Sequence, residues 1–593
     1  MDETAASRLA ALRAELARQG LQGFIVPRAD EHLGEYVPAG AERLAWLTGF
    51  TGSAGLAAVL PDRAAVFTDG RYILQVAEQT DPVLWERRHI TDDPPPAWLA
   101  AAAPPGARIG YDAMLISEEG LAGYRDAGLD MVPVAENPID RLWTDRPGPP
   151  LAPALPHSLD YAGRSSAEKR EDVAAALRSA KQDAAVISDP ASIAWLFNIR
   201  GSDVPFTPFA LGFALLHADG RADLFMTGEK LPPATREWLG NGVAVHDRAA
   251  LSSALAALAG RRVRVDRSRS PVWFAETLRA AGAQVAAGSD PCLLPKACKN
   301  RIEQAGARAA HARDAVALCR FLHWLAGAAQ RGRETELSAA ARLLALRGET
   351  PKFRGESFPA ISGAGEHGAI IHYRVTEATD RPIRPNELYL IDSGAQYPDG
   401  TTDVTRTIWT GPADPPDAIR ERYTRVLKGH IAIATLVFPQ GVGGPHLDAF
   451  ARRALWEAGL DYDHGTGHGV GSYLSVHEGP AGLSRNAPAI ALAPGMILSD
   501  EPGFYLPGEY GIRIENLLLV QPADLPDATK PFLRFETLTL APFDRRLIAT
   551  GLLLPQEVAW IDGYHARVLA EVDPHLDAAA RDWLGAGCAP LAL

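Results

Sequence analysis

Residues 464–471 read HGTGHGVG, and the fold of the chain's C-terminal half turns on whether this stretch is helix or strand. Two histidines four apart would share one helical face and suit a single metal. The glycines at 465, 467, 469 and 471 argue against a helix, because each costs about 1 kcal/mol relative to alanine there. Their spacing is the two-residue period of a strand. A strand puts His464, Thr466, His468 and Val470 on one face and leaves a bare face that another backbone can approach closely. At ~3.3 Å per residue the two histidine Cα atoms stand roughly 13 Å apart, too far to share one metal at ~2.1 Å. No glutamate follows the first histidine to act as the base of a zinc-protease helix. At most one of the two is therefore a direct ligand.

Further ligands are expected on two hairpins. LYLIDSGAQYPDGTTDVTRTIW (388–409) is apolar, turn, apolar, with Pro398-Asp399-Gly400 as the turn. Asp392 and Asp403 lie in its two arms, roughly opposite each other if a bulge is allowed. ILSDEPGFYLPGEYGIRIENLLLV (497–520) repeats the design around Pro507-Gly508-Glu509, with Glu501 and Glu515 equally far from Gly508. Alternation puts Arg513 and Glu515 on one face and Ile512 and Ile514 on the other. Any one of these acids alone reads as a solvated surface group. Set in apolar runs such as LYLID and IRIENLLLV, four of them together need compensation, because unpaired buried charge is very costly. Two divalent cations neutralise four carboxylates. One histidine and four carboxylates form a reasonable set for two metals ~3.5–4 Å apart. The oxygen-rich, thiol-free set suits manganese, cobalt or zinc. Such a pair acidifies water and polarises a carbonyl, which is hydrolytic machinery.

The chain is 593 residues long, enough for two to four domains. It is 47% hydrophobic and 22% charged, as expected of a soluble globular protein. A net charge of −13 argues against nucleic acid or an anionic membrane as partner. Four cysteines without zinc spacing fit a reducing compartment. The acidic start, MDETAASRLAALRAELARQG, lacks a signal-peptide core, and no run reaches the ~18–20 apolar residues of a membrane span. A cytoplasmic location is expected. An internal repeat pairs AWLTGFTGS (45–53) with AWLFNIRGS (194–202). Each copy follows a helical pattern (7–19 and 165–180) and an apolar run (GFIVP and AAVIS). Each precedes further apolar runs and an Asp-Gly turn, at Asp69-Gly70 and Asp219-Gly220. Two domains of one α/β kind are expected. The proline-rich TDRPGPPLAPALPH (144–157) reads as a border, and a second falls near Lys296–Asn300, where a long helical pattern begins at Arg301. The expected domains are 1–157, 158–300 and 301–593. The apolar C-terminal stretch LGAGCAPLAL could pack on a partner or fray.

The order IDSG…GTTDVTRT, HGTGHGVG, VHEGP, DEPG and GIRIEN resembles the metal-dependent aminopeptidase P family of the pita-bread fold, in its three-domain cytosolic form. HLGEYVP, GFTGSAG, FTDGRY, LWTDRP, AWLFNIRGSDV and GAIIHY extend the resemblance over nearly the whole chain. It implies two creatinase-like α/β domains followed by a pita-bread catalytic domain, an α/β (α+β) architecture. It implies the metal ligands Asp392, Asp403, His468, Glu501 and Glu515. Asp403 and Glu515 would bridge two ions, His468 and Glu501 would complete one site, and Asp392 the other. Glu501 would accept the proton of the attacking water. His372, His464 and His477 match the family's substrate-side histidines, one or more of which would hydrogen-bond the substrate carbonyl or oxyanion. Tyr505 and Arg513 match positions near the site, with packing and an ion pair to a bridging carboxylate as their roles.

The implied reaction removes the N-terminal residue from peptides with proline at position two, using two divalent ions, manganese before zinc or cobalt. A homodimer is implied as well. Prolidases share the ligand pattern, so an Xaa-Pro dipeptidase is an alternative. Two others are a non-catalytic pita-bread binding protein and a metal-free C–N hydrolase of creatinase type. Intact ligand positions speak against both.

Overall fold

The computed structural model describes residues 4–591, in two compact units: 4–159 with 164–293, and 160–163 with 294–591. The repeat is realised in the first unit as two six-stranded sheets. One contains, in chain order, Gly23–Pro27, Leu56–Val59, Ala64–Thr68, Glu86–His89, Arg108–Tyr111 and Asp130–Pro133. The other contains Ala184–Ile187, Phe213–His217, Ala222–Phe225, Val243–His246, Arg262–Val265 and Gln284–Ala287. Both have the spatial order fourth, third, second, first, fifth, sixth. Both are antiparallel from first to second to third strand and parallel elsewhere. The repeated AWL segments are the short helices Arg43–Thr48 and Pro190–Phe197. Each ends on a left-handed residue, Gly49 (φ 84°) or Asn198 (φ 50°), the two residue types that best tolerate that conformation. The helical patterns before them are Ala5–Arg18 and Ser166–Ser179. The two Asp-Gly turns are not equivalent. Asp219-Gly220 joins the second and third strands of its sheet, whereas Asp69-Gly70 follows the third strand of its own. Local turn chemistry is the same in both, but it punctuates different points.

In the second unit the helix Arg301–Ala328 starts from a capping box of Asn300 and Glu303. Three strands, Ile361–Ala364, Leu388–Ser393 and Val404–Trp409, form one sheet. A second sheet has the order Val437–Pro439, Phe532–Thr537, Asn516–Ala523, Ile497–Asp500, Gly467–Gly469, Glu478–Leu483. The hairpin Gly503–Leu506/Tyr510–Arg513 turns at Gly508, whose φ of 76° favours glycine. Its Ile512 and Ile514 are fully buried in the main apolar core of this unit. In the terminal stretch, Leu584 and Cys588 join the same core, while residues 592–593 lie outside the described residues. Among the described residues no helix is long and apolar enough to cross a membrane.

HGTGHGVG is not helical, but regular strand covers only Gly467–Gly469, the chain bends at His464 and Thr466, and the register shifts between His468 and Gly469. The glycine face is closed by neighbouring backbones. A Cβ on Gly467 would lie 1.9 Å from the Ser499 carbonyl oxygen, and one on Gly469 2.1 Å from that of Glu478. Gly465 is roomier, with Ser484 Cβ at 3.2 Å. Gly469→Ala should therefore cost about 3 kcal/mol of stability in chemical denaturation, whereas Gly465→Ala should cost under about 1 kcal/mol. Equal midpoints for the two variants would contradict the close approach.

Candidate metal centre

The two acidic hairpins meet as their registers dictate. Asp392 pairs with Thr405, and Ser393 with Val404, so Asp403 lies just past the paired ends, diagonal to Asp392 on the same face. The tip is a two-residue turn at Pro398-Asp399, flanked by Gln396↔Thr401 and Tyr397↔Gly400. In the other pair, Asp500↔Asn516 and Gly503↔Arg513 share one register, which sets Glu501 against Glu515 between the two ladders. Asp392, Asp403 and Glu515 are buried, and the Glu501 side chain is 18% exposed. Alternation turns Asp500 away from its neighbour Glu501, to lie 3.0 Å from Nδ1 of buried His430.

His468 enters this cluster and His464 does not. His468 Nδ1 donates to the Gly469 carbonyl at 2.9 Å, which leaves Nε2 facing the acids, 3.5 Å from Asp403 Oδ2 and 3.6 Å from Glu501 Oε1. The His477 ring stands edge-on to His468, with centroids 4.3 Å apart. His464 Nδ1 donates to the Gly465 carbonyl at 2.8 Å, and its Nε2 accepts from the Tyr505 hydroxyl at 2.8 Å. Tyr505 in turn accepts from Arg513 Nη1 at 2.8 Å, and Arg513 Nη2 donates to Asp392 Oδ2 at 2.7 Å. The arginine thus pairs with Asp392, not with Asp403 or Glu515, the carboxylates expected to bridge. His372 sits in a half-buried turn after the 3-10 helix Gly365–Ala369. That helix packs on the Tyr505–Arg513 hairpin so closely that a Cβ on Gly511 would lie 1.7 Å from the Gly368 carbonyl oxygen.

The donor set fits divalent cations. One ligand atom each from Asp403, His468 and Glu515 lie within 4.8 Å of one another. Asp392 Oδ1, Asp403 Oδ1 and Glu515 Oε1 are buried without any hydrogen-bond donor, an arrangement a cation explains. Burial, with the charges of Asp403 and Glu501, pushes the Asp392 carboxyl up to about 7, against the pull of Arg513. Burial and the neighbouring acids likewise raise Glu501, and raise Glu515 well above the ordinary range. Burial alone would lower His468, but Asp403 and Glu501 prevail and lift it to about 9. Four carboxylates at this spacing do not all stay ionised unaided.

Several supporting residues have no signal in spacing or composition. The Thr405 hydroxyl donates to Glu515 Oε2 at 2.7 Å. Ser499 Oγ accepts from His468 N–H at 2.9 Å and donates to Glu501 Oε1 at 3.1 Å. Arg406 is buried and donates to the carbonyls of Thr405 (2.8 Å) and Glu515 (2.7 Å) and to Asn516 Oδ1 (2.8 Å), tying the two ligand-bearing strands together. A charged residue inside VTRTIW was the one available hint.

These shifts set how the acid cluster contributes to the pH response of metal-free protein. Asp392, with its carboxyl raised to about 7, holds a proton when folded that it loses when unfolded. Its contribution to stability therefore falls as pH rises from about 4 to about 7. His468, raised to about 9, is lost in the same direction between about 6.5 and 9. The melting temperature without metal should fall between about pH 6.5 and 9, above the range in which the buried His157 and His565, both held below the ordinary histidine value, act in the opposite sense. Divalent cations should restore it, by about 2.7 kcal/mol at a hundred times Kd, with the largest gain at high pH. A metal-free melting temperature that climbs across the window would contradict the geometry.

Comparison with known proteins gives this site a family. Residues 305–522 match the profile of metallopeptidase family M24, and residues 531–591 match the C-terminal region of that family. Residues 8–142 and 145–303 each match the creatinase/prolidase N-terminal domain. A probable Xaa-Pro aminopeptidase P of Neosartorya fischeri is 38% identical over 608 residues, covering 98% of this chain and 92% of its own. Its counterpart in Coprinopsis cinerea is also 38% identical, with 98% of both chains covered. The crystal structure of an X-prolyl aminopeptidase from Caenorhabditis elegans, described as a cytosolic enzyme with a di-nuclear active site, superimposes with a TM-score of 0.94. It is 33% identical and covers 99% of this chain and 100% of that one. With two creatinase-like N-terminal domains and a pita-bread catalytic domain of family M24, the chain belongs to the Xaa-Pro aminopeptidase P family.

Proposed function

We propose that the chain removes the N-terminal residue from peptides whose second residue is proline, acting in the cytoplasm as a homodimer with two divalent cations, manganese before zinc or cobalt. Its three domains are taken as 1–157, 158–300 and 301–593. The observation that carries the proposal is the set of buried carboxylate oxygens without donors, gathered around one histidine in a chain related end to end to Xaa-Pro aminopeptidases. Asp392, Asp403, His468, Glu501 and Glu515 would hold the cations, with Asp403 and Glu515 shared between them. When bound, the pair supplies Lewis acidity toward a carbonyl oxygen and acidifies water.

The side chains handle the proton and the developing charge. Glu501, oriented by Ser499, takes the proton of the attacking water as oxygen bonds to the scissile carbon. The Xaa-Pro nitrogen is a tertiary amide with no hydrogen of its own. It leaves as a secondary amine when the carbon–nitrogen bond breaks and that proton is passed to it. His372 and His477 donate to the carbonyl oxygen as negative charge builds. His464, engaged by Tyr505, instead steadies the Tyr505–Arg513–Asp392 chain that borders the substrate.

The test is mass loss from a peptide beginning Xaa-Pro-Pro and from the same peptide with alanine at position two, each with manganese and after exhaustive chelation. Loss of one residue, only from the proline peptide and only with metal, is expected. Glu501→Gln should lower kcat by roughly 10²–10⁴-fold. Cleavage confined to an Xaa-Pro dipeptide would instead make the protein a prolidase. Folded, metal-loaded protein that cleaves neither would leave a binding protein on this scaffold.

A further inference from the structure

The loop that carries His372 hangs on one buried carboxylate. Glu336, the first residue of the helix Glu336–Gly348, has 0% of its surface exposed. Its Oε1 accepts the Ala364 N–H at 2.7 Å, and both of its oxygens lie 2.9 Å from His367 Nδ1. Its Oε2 accepts the Tyr373 hydroxyl at 2.9 Å. Its main-chain carbonyl accepts the Ser362 hydroxyl at 2.7 Å. These donors come from the start, middle and end of the segment 361–373. At one end of that segment Ile361 pairs with Asp392, and at the other Tyr373 adjoins His372. Glu336 therefore contacts the loop from the metal-site strand to the residue beside the histidine, with Arg381 holding the Ala364 carbonyl from the other side at 2.6 Å.

A buried ion is a poor source of stability, since an apolar side chain of the same volume would avoid the desolvation. What it adds is direction, because charge-assisted hydrogen bonds hold their partners in narrow geometry. The same device recurs beside the other two histidines. His477 precedes Glu478, which is buried between Lys299 Nζ and Lys296 Nζ, the latter at 2.9 Å. The His464 carbonyl accepts from Arg452 Nη2 at 2.7 Å, and that buried guanidinium pairs with Asp448 at 2.7 Å.

We propose that Glu336 is a positioning residue for the reaction, fixing the placement of His372 through Tyr373. This rests on the donor role given to His372 in the proposed function. The test is a double-mutant cycle on full-length, manganese-loaded protein, with kcat, KM and metal content measured on the Xaa-Pro-Pro peptide. Glu336→Gln replaces an all-acceptor group by one that presents N–H to the loop's donors. It should lower kcat roughly ten- to a hundredfold, with KM within about twofold and metal content unchanged. His372→Ala should lose roughly a hundredfold in kcat, and adding Glu336→Gln to it should lose no more. Tyr373→Phe removes the hydroxyl's bond to Glu336 and its 3.3 Å contact to the Thr379 carbonyl, and leaves the carboxylate itself in place. It should give a smaller kcat loss that also vanishes in the His372→Ala background, and it serves if Glu336→Gln does not fold. Losses that multiply in the double variants would overturn the proposal. So would a Glu336→Gln protein that melts earlier but keeps wild-type kcat per loaded site. Wild-type kcat in His372→Ala would overturn the histidine's role itself, an outcome distinct from an impaired His372→Ala on which Glu336 acts independently.

Discussion

Mutual repulsion of four carboxylates in one buried site is the constraint on which the rest of the second unit depends. Two like charges 4 Å apart cost about 4 kcal/mol even at the moderate effective dielectric of a protein surface. Among Asp392, Asp403, Glu501 and Glu515 this repulsion raises the proton affinity of Asp392, Glu501 and Glu515, and Arg513 pairs with Asp392. The cluster persists because rigid elements hold it. Each hairpin brings its two acids together by register, and Arg406 ties the strands behind them through main-chain carbonyls. The strain of an all-acid site is thereby converted into affinity for divalent cations.

The glycines of HGTGHGVG serve the same end. With no side chains on one face, the Gly467–Gly469 strand wedges between Ile497–Asp500 and Glu478–Leu483, and His468 reaches the acids from a third direction. His464 is four residues away on the same segment, yet it belongs to a different layer that ends on Tyr505 and Arg513. Spacing that suggests a shared metal in a helix thus separates two jobs where the chain is not helical.

Much of this was legible locally. The equal distances of Glu501 and Glu515 from Gly508, the glycine period and the repeated AWL segments are short-range patterns, and strand register translates them directly into space. The misses were of another kind. The partner of Arg513 depends on which carboxylate the neighbouring sheet presents, and no spacing encodes that choice. The two Asp-Gly turns share chemistry but not position, because a turn signal says that the chain reverses and not which strands it joins. Glu336, His430 and Arg406 act through contacts spanning 31, 86 and 109 residues, so their sequence surroundings carry no trace of their partners.

The most direct measurement of the central claim is metal stoichiometry. Protein stripped by chelation, dialysed against manganese and assayed by elemental analysis should hold two ions per chain at neutral pH. Asp403→Asn, which removes a shared ligand, should fall well below two while the chain stays folded. One ion or none in the wild type, or two in the variant, would contradict the account of four buried acids held together by a pair of cations.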